Sequence, residues 1–99
     1  MDFYGRLWAL LRRDDMGRGL AQAAPAPDFD ALTAALLSAR RAVILTGFPV
    51  DCGGALRGET DGPGGAANLA RALMATGCGA TLLCDGVSLP QVRAAAAVL

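Results

Sequence analysis

Histidine and lysine are both absent from this 99-residue chain. The lack of histidine removes the usual general base, metal ligand and near-neutral switch. Acid–base chemistry is left to Asp, Glu, Cys, Tyr or the substrate's own groups. All nine basic residues are arginine, balanced by nine Asp and Glu to a formal net charge of zero. That balance gives no electrostatic footprint for nucleic acid or for a membrane surface. No basic stripe or aromatic platform suggests a nucleic-acid partner either. Apolar runs all fall short of the roughly 18 residues that span a bilayer. The first eleven residues are too short and too polar for a signal peptide, and Asp2, Asp14 and Asp15 argue against a mitochondrial presequence. Only three cysteines occur, Cys52, Cys78 and Cys84, an odd number without CxxC or zinc spacing. A reduced, cytoplasmic protein is the expectation.

What is present argues for a folded chain: 54% hydrophobic residues against 18% charged ones. Phe3, Leu7, Leu10 and Leu11 recur at helical spacing, predicting an amphipathic helix over 2–13 that packs on the domain. Asp14-Asp15-Met16-Gly17-Arg18-Gly19 ends it, and Ala24-Pro25-Ala26-Pro27 forms a stiff linker. This gives three segments: a helix and loop over 1–23, the linker over 24–27, and a partial α/β domain over 28–99. Asp28 is an N-cap candidate for a helix over 29–39, with Phe29, Leu32, Leu36 and Leu37 inward and Arg40 and Arg41 at its positive end. Apolar runs near 42–46 and 80–84 read as buried parallel strands, joined by a helix that carries Leu69, Leu73 and Met74 and stops at Gly77. Ser88 or Pro90 opens a last, alanine-rich helix that runs to the C-terminus.

Strand, helix, strand in this order makes one Rossmann-like βαβ unit. Two parallel strands make an incomplete sheet. Residues 28–99 are therefore read as the N-terminal portion of a larger three-layer domain. The alternatives are a sheet completed by another copy of the chain, as in a homo-oligomer, and a self-sufficient mini-domain.

Residues 46–66 form a long glycine-rich, acidic connection between the first strand and its helix, longer than a connector needs. Glu59 and Asp61, with Asp51 nearby, make a carboxylate cluster at a strand's C-terminal end. Gly62, Gly64 and Gly65 deliver the chain into a helix N-terminus, where free N–H groups hold anions. Thr46, Gly47 and Thr60 line the same stretch, and Arg57 offers a bidentate clamp. Such a set suits an amino acid or other zwitterionic ligand, its cation on Glu59 or Asp61 and its anion at the helix, and equally a hard metal on oxygen ligands. The plainer reading makes Asp61 an N-cap and Glu59 a solvated loop charge. Gly62-x-Gly64-x-x-Ala67 matches a relaxed dinucleotide fingerprint but lies too far beyond the strand. Cys52 needs Arg57 or a helix N-terminus to become a reactive thiol; Cys78 and Cys84 read as small buried hydrophobes.

Thr46-Gly47-Phe48-Pro49, then Gly58-Glu59-Thr60-Asp61-Gly62-Pro63-Gly64-Gly65-Ala66 and Leu69-Ala70-Arg71-Ala72-Leu73, resemble the D-glutamate cyclase C-terminal-like family. Asp14 to Leu20 is similar to an Asp–Arg–Gly segment near that family's start. The resemblance covers nearly the whole chain but only the opening portion of the family's domain. It implies a lyase that dehydrates free D-glutamate to 5-oxo-D-proline, with a small acidic amino acid or related anion as its partner. Under it, Glu59 or Asp61 is the base or ammonium partner, the Gly62–Ala66 entrance holds a carboxylate, and Arg57 assists. It assigns no metal and leaves any cofactor open. A non-catalytic module that binds a small anionic metabolite or nucleotide at the same loop is the alternative, and a structural, oligomerising piece is another.

Overall fold

In a computed structural model the described residues are 2–98; Met1 and Leu99, the expected start of the first segment and end of the last helix, lie outside them. The chain divides into two compact units, Met1–Ala35 and Leu36–Leu99.

In the first unit, α1 (Phe3–Leu11) starts where the Asp2 carboxylate accepts from Gly5 N–H at 2.7 Å. After it, both Asp14 carboxylate oxygens are occupied, by Arg18 N–H and Gly19 N–H, each at 2.8 Å. These bonds close the Asp-Asp-Met-Gly-Arg-Gly break around Gly17 and Gly19, both at positive φ. A single-turn helix, α2 (Leu20–Ala23), precedes the extended proline linker and was not legible from periodicity. The expected N-cap forms: Asp28 accepts from Ala31 N–H at 2.9 Å and opens α3 (Phe29–Ser38). Tyr4 stacks on Phe29 with ring centroids 5.1 Å apart, and its hydroxyl lies 3.0 Å from Thr33 Oγ1. The inward faces expected of both helices are not buried. Phe3, Leu10 and Leu11 are at least 60% exposed, and Leu32, Leu36 and Leu37 are exposed as well. The Tyr4–Phe29 stack is an apolar contact between the two helices. The expected positive end of α3 also differs, because the helix stops at Ser38 and Arg41 begins a strand.

In the second unit, β1 (Arg41–Leu45) and β4 (Gly79–Leu83) pair in parallel, with Ala42 opposite Ala80 and Ile44 opposite Leu82. Each lies one residue earlier than the apolar runs suggest. The crossover between them carries α4 (Asp61–Ala75), so the α/β reading with parallel strands holds. The helix buries Pro63, Ala66, Ala67, Ala70 and Leu73. Their 3-1-3-3 spacing is one helical face. Leu69 and Met74, expected inside with Leu73, are exposed: Leu69 stands about 100° around the helix from the centre of that stripe, whereas Met74 falls within its arc but in the last turn of the helix. The end of α4 is capped: Gly77 at φ +86° lets its N–H reach Met74 C=O at 3.0 Å, and Cys78 N–H reaches Leu73 C=O at 3.1 Å. Cys78 is buried there and Cys84 is half-buried. Two further ladder bonds lengthen the sheet, Gly79 N–H to Arg40 C=O and Thr46 N–H to Leu83 C=O, both 2.9 Å.

The strands are buried on one face only, a departure from the expectation of fully buried strands. Ala42, Ile44, Ala80 and Leu82 are half-buried, while Val43, Leu45 and Leu83 alternate with them and are exposed. Helix α5 (Leu89–Ala97) packs beside α4 and buries Val92.

The 46–66 stretch is not an irregular loop. Pro49–Asp51 (β2) and Leu56–Gly58 (β3) form an antiparallel hairpin, with Val50 opposite Arg57. Its two turn residues, Gly53 and Gly54, have φ of +70° and +89°, the handedness a two-residue hairpin turn demands. Cys52 N–H donates to Ala55 C=O at 2.9 Å, and Asp51 Oδ1 accepts from Gly54 N–H at 2.7 Å. Asp51 therefore serves the turn rather than a carboxylate cluster with Glu59 and Asp61.

Candidate functional site

The C-terminal ends of β1 and β4 lie side by side, and each releases the chain into a turn that carries an acidic residue. From β1 come Thr46 and Gly47, then the hairpin, which returns through Gly58 to Glu59. Glu59 N–H donates to Phe48 C=O at 3.2 Å, so the hairpin holds Glu59 next to the strand exit that began it. Helix α4 then opens with Thr60 as N-cap and Asp61 as its first residue.

An open cleft of about 640 Å³ sits here, lined by Ile44, Leu45, Thr46, Gly47, Phe48, Glu59, Asp61, Gly62, Gly65, Ala66 and Leu69. Six residues singled out from sequence thus meet at one cleft: Thr46, Gly47, Glu59, Asp61, Gly62 and Gly65. Arg57, Thr60 and Gly64 are not in its lining. Arg57 lies in the hairpin ladder, exposed, and Cys52 is exposed beside the hairpin turn. Among the described residues, no three His, Cys, Asp or Glu side chains gather where they could hold a metal ion.

Gly62 lets Glu59 come close. A side-chain carbon at Gly62 would overlap Glu59 Oε1 and lie 3.3 Å from Thr46 Oγ1, so the Glu59 carboxyl rests over the helix backbone beside Thr46. Burial against these neighbours raises the Glu59 pKa above the ordinary carboxylate range. The adjacent Asp61 charge and a side-chain hydrogen bond with Asp61 raise it further. Glu59 therefore binds its proton more tightly than a solvated carboxyl does.

The helix start offers fewer free donors than the glycine run suggests. With α4 beginning at Asp61, the N–H groups of Gly64 and Gly65 fall inside the intrahelical ladder, and Pro63 has none. Gly62 N–H turns to its neighbour's Asp61 Oδ1 at 3.1 Å. Thr60 and Asp61 keep the unpaired positions at the positive end of the helix dipole.

Sequence reasoning missed Asp85, which stands two residues past the end of β4 as Gly47 stands two past the end of β1. Its carboxylate accepts from Ser88 N–H at 2.8 Å and from Ser88 Oγ–H at 3.0 Å. The backbone bond from Ser88 is the main reason its pKa lies below the usual range, with the Ser88 hydroxyl and further backbone bonds adding to it against partial burial. A side-chain carbon at Gly47, whose φ is +95°, would come 3.0 Å from Asp85 Oδ2 and 2.8 Å from Ser88 Oγ. The signal was in the sequence, as an Asp-Gly pair directly after a buried strand at the edge where α/β proteins place ligands.

Residues 7–99 match the family model described as D-glutamate cyclase-like, C-terminal. The chain belongs to that family. The match extends across the strand exits, the hairpin, α4 and α5, so the cleft lies within the family's sequence. No curated protein and no solved structure matches the chain.

Proposed function

We propose that the cleft is the acid–base site of a D-glutamate cyclase-type lyase, which dehydrates free D-glutamate to 5-oxo-D-proline. The observation that carries this reading is the Glu59–Asp61 pair, two neighbouring carboxyl groups lining one cleft beside a strand exit, with the Glu59 pKa raised. Family membership supports the substrate class.

Cyclisation joins the α-nitrogen to the side-chain carboxyl carbon and breaks one C–O bond of that carboxyl. Two protons leave the ammonium nitrogen and two join the departing oxygen, which leaves as water. In this scheme Asp61 takes protons at nitrogen, and Glu59 delivers them at oxygen. Transfer within the pair restores the starting state, the division of labour that two carboxyls of unlike pKa permit. The Asp61 charge also attracts the substrate ammonium, and Thr46 Oγ supplies a hydroxyl beside Glu59.

The test follows 5-oxoproline formation from D-glutamate, with L-glutamate as control, in the native protein and in folded Glu59→Gln and Asp61→Asn variants. Loss of turnover in both variants supports the assignment. Unchanged turnover in both removes it. Thermal stabilisation by D-glutamate without product would instead favour the binding-module reading.

A further inference from the structure

Ser88 is polar, stands at a helix start, and has no exposed surface. Ser88-Leu89-Pro90-Gln91 has the Ser-x-x-Gln form of a capping box. There the hydroxyl accepts from the Gln N–H, and the Gln side chain reaches back to the Ser N–H. Neither bond forms. Ser88 N–H and Oγ–H both go to Asp85, and Gln91 Oε1 is buried without a partner. A local rule broken this way points to a constraint from elsewhere in the fold.

That constraint is a pair of glycines. A side-chain carbon at Gly47 would lie 2.8 Å from Ser88 Cβ, and one at Gly58 would lie 2.9 Å from Ser88 Cα and 2.8 Å from Gln91 Oε1. Gly47 directly follows Thr46, and Gly58 directly precedes Glu59. The first turn of α5 is therefore gripped between the exit from β1 and the returning strand of the hairpin, and Asp85 holds Ser88 in that grip.

We infer that Ser88, anchored by Asp85, is a positioning residue for Glu59: it sets the spacing of the Gly47 and Gly58 segments and so the seat of the Glu59 carboxyl over Gly62 and beside Thr46. Ser88 does not line the cleft, so it acts only through these neighbours. The inference rests on the reading of Glu59 and Asp61 as the acid–base pair. The groups facing Glu59 are the titratable Asp61 from α4 and the uncharged Thr46, the residue after β1; Asp85 meets Gly47 instead, with Oδ2 3.0 Å from where a side-chain carbon there would stand.

The experiment is a carbon-13 NMR titration of the Glu59 carboxyl, read beside steady-state kinetics (kcat and KM for D-glutamate) with 5-oxoproline as the measured product. Ser88→Thr adds a methyl group where there is no room. Ser88→Gly keeps an acceptable N-cap while removing the packed side chain. In both, Glu59 should titrate closer to an ordinary carboxyl, and kcat should fall by up to about a hundredfold with KM little changed. Ser88→Ala retains the Cβ against Gly47 and should hold the Glu59 titration nearer the native one than Ser88→Gly does. Native titration of Glu59 in folded Ser88→Gly overturns the inference, whatever Ser88→Thr does. Displaced titration in a protein that forms no 5-oxoproline even in its native form upholds the positioning role and rejects the cyclase reading.

Discussion

The exits of β1 and β4 are neighbours in the sheet, yet they treat their carboxylates in opposite ways. At the β4 exit, Asp85 is surrounded by donors and is held ionised. At the β1 exit, Glu59 meets burial and a second carboxyl, and its pKa is raised. The difference comes from connection length. A short turn from β4 into α5 keeps Asp85 beside the N–H groups of its own helix start. The hairpin after β1 carries the chain away and returns it with Glu59 already committed to a close approach to Asp61. One edge of the sheet thus presents a fixed negative charge, and the other a carboxyl that can give up a proton. Unlike carboxyl environments side by side are a common basis for acid–base work.

The comparison breaks most severely at Glu59. Glu59→Gln should lower turnover by about 10²–10⁴-fold, the range for loss of a general acid or base. Its stability should not fall with it. A carboxyl whose folded pKa is raised stabilises the fold below its unfolded pKa and loses that contribution as pH rises through the folded value. At neutral pH the variant should therefore melt no lower than the native protein. A matching drop in melting temperature and turnover would mark Glu59 as a structural residue instead.

Gly62→Ala comes next. The added carbon overlaps Glu59 Oε1, so the carboxyl must leave its seat, and turnover should drop by up to about a hundredfold. Circular dichroism should show the helix intact, since alanine suits a helix interior better than glycine.

Gly47→Ala tests the junction between the two exits. Its positive φ alone implies a loss of about 1–3 kcal/mol in urea unfolding, before the contact with Ser88 is counted. Gly64→Ala is the matched control: beyond its chain neighbours and its own turn of helix backbone, nothing lies within 4 Å of the added carbon, and the position is helical. It should stabilise the protein by about 0.5–1 kcal/mol. Similar responses at Gly47 and Gly64 would dissolve the claim that Gly47 is fixed by the β4 exit.

The smallest effect is on the acid limb of stability. Asp85 has a lowered folded pKa, so its contribution is present above the unfolded value and is lost as pH falls through the folded one. Asp85→Asn should flatten that part of the stability–pH curve, measured by thermal melts from neutral to acid pH. Glu59→Gln should act in the opposite sense, removing a contribution that grows on acidification.

Much of the architecture was legible because local chemistry dictates it. Asp28 caps α3, Gly77 ends α4, and the two apolar runs pair as parallel strands. The hairpin was equally available from sequence. Gly53-Gly54 between Val50-Asp51 and Leu56-Arg57 is a two-residue turn signal. The acidic glycine-rich composition of the surrounding stretch drew attention to its chemistry instead. Helix faces were less legible. Counting large apolar residues favoured Leu69 and Met74, whereas α4 lies on the sheet through alanines that allow close approach. At the site, Glu59, Asp61, Gly62 and Thr46 were found by type and spacing, and Asp85 and Ser88 were not. Their significance depends on contacts with Gly47 and Gly58, distant in sequence.

The sequence by itself determined the α/β class, the βαβ order, the caps and stops, and the acidic stretch that holds the cleft. Those features arise from interactions over a few residues, where side-chain type and backbone preference suffice. Tertiary structure alone decided which carboxyl has its pKa raised, which glycines must remain glycine, and why Ser88 gives up its helix cap. Each of these depends on burial and close approach between segments that only the folded backbone brings together.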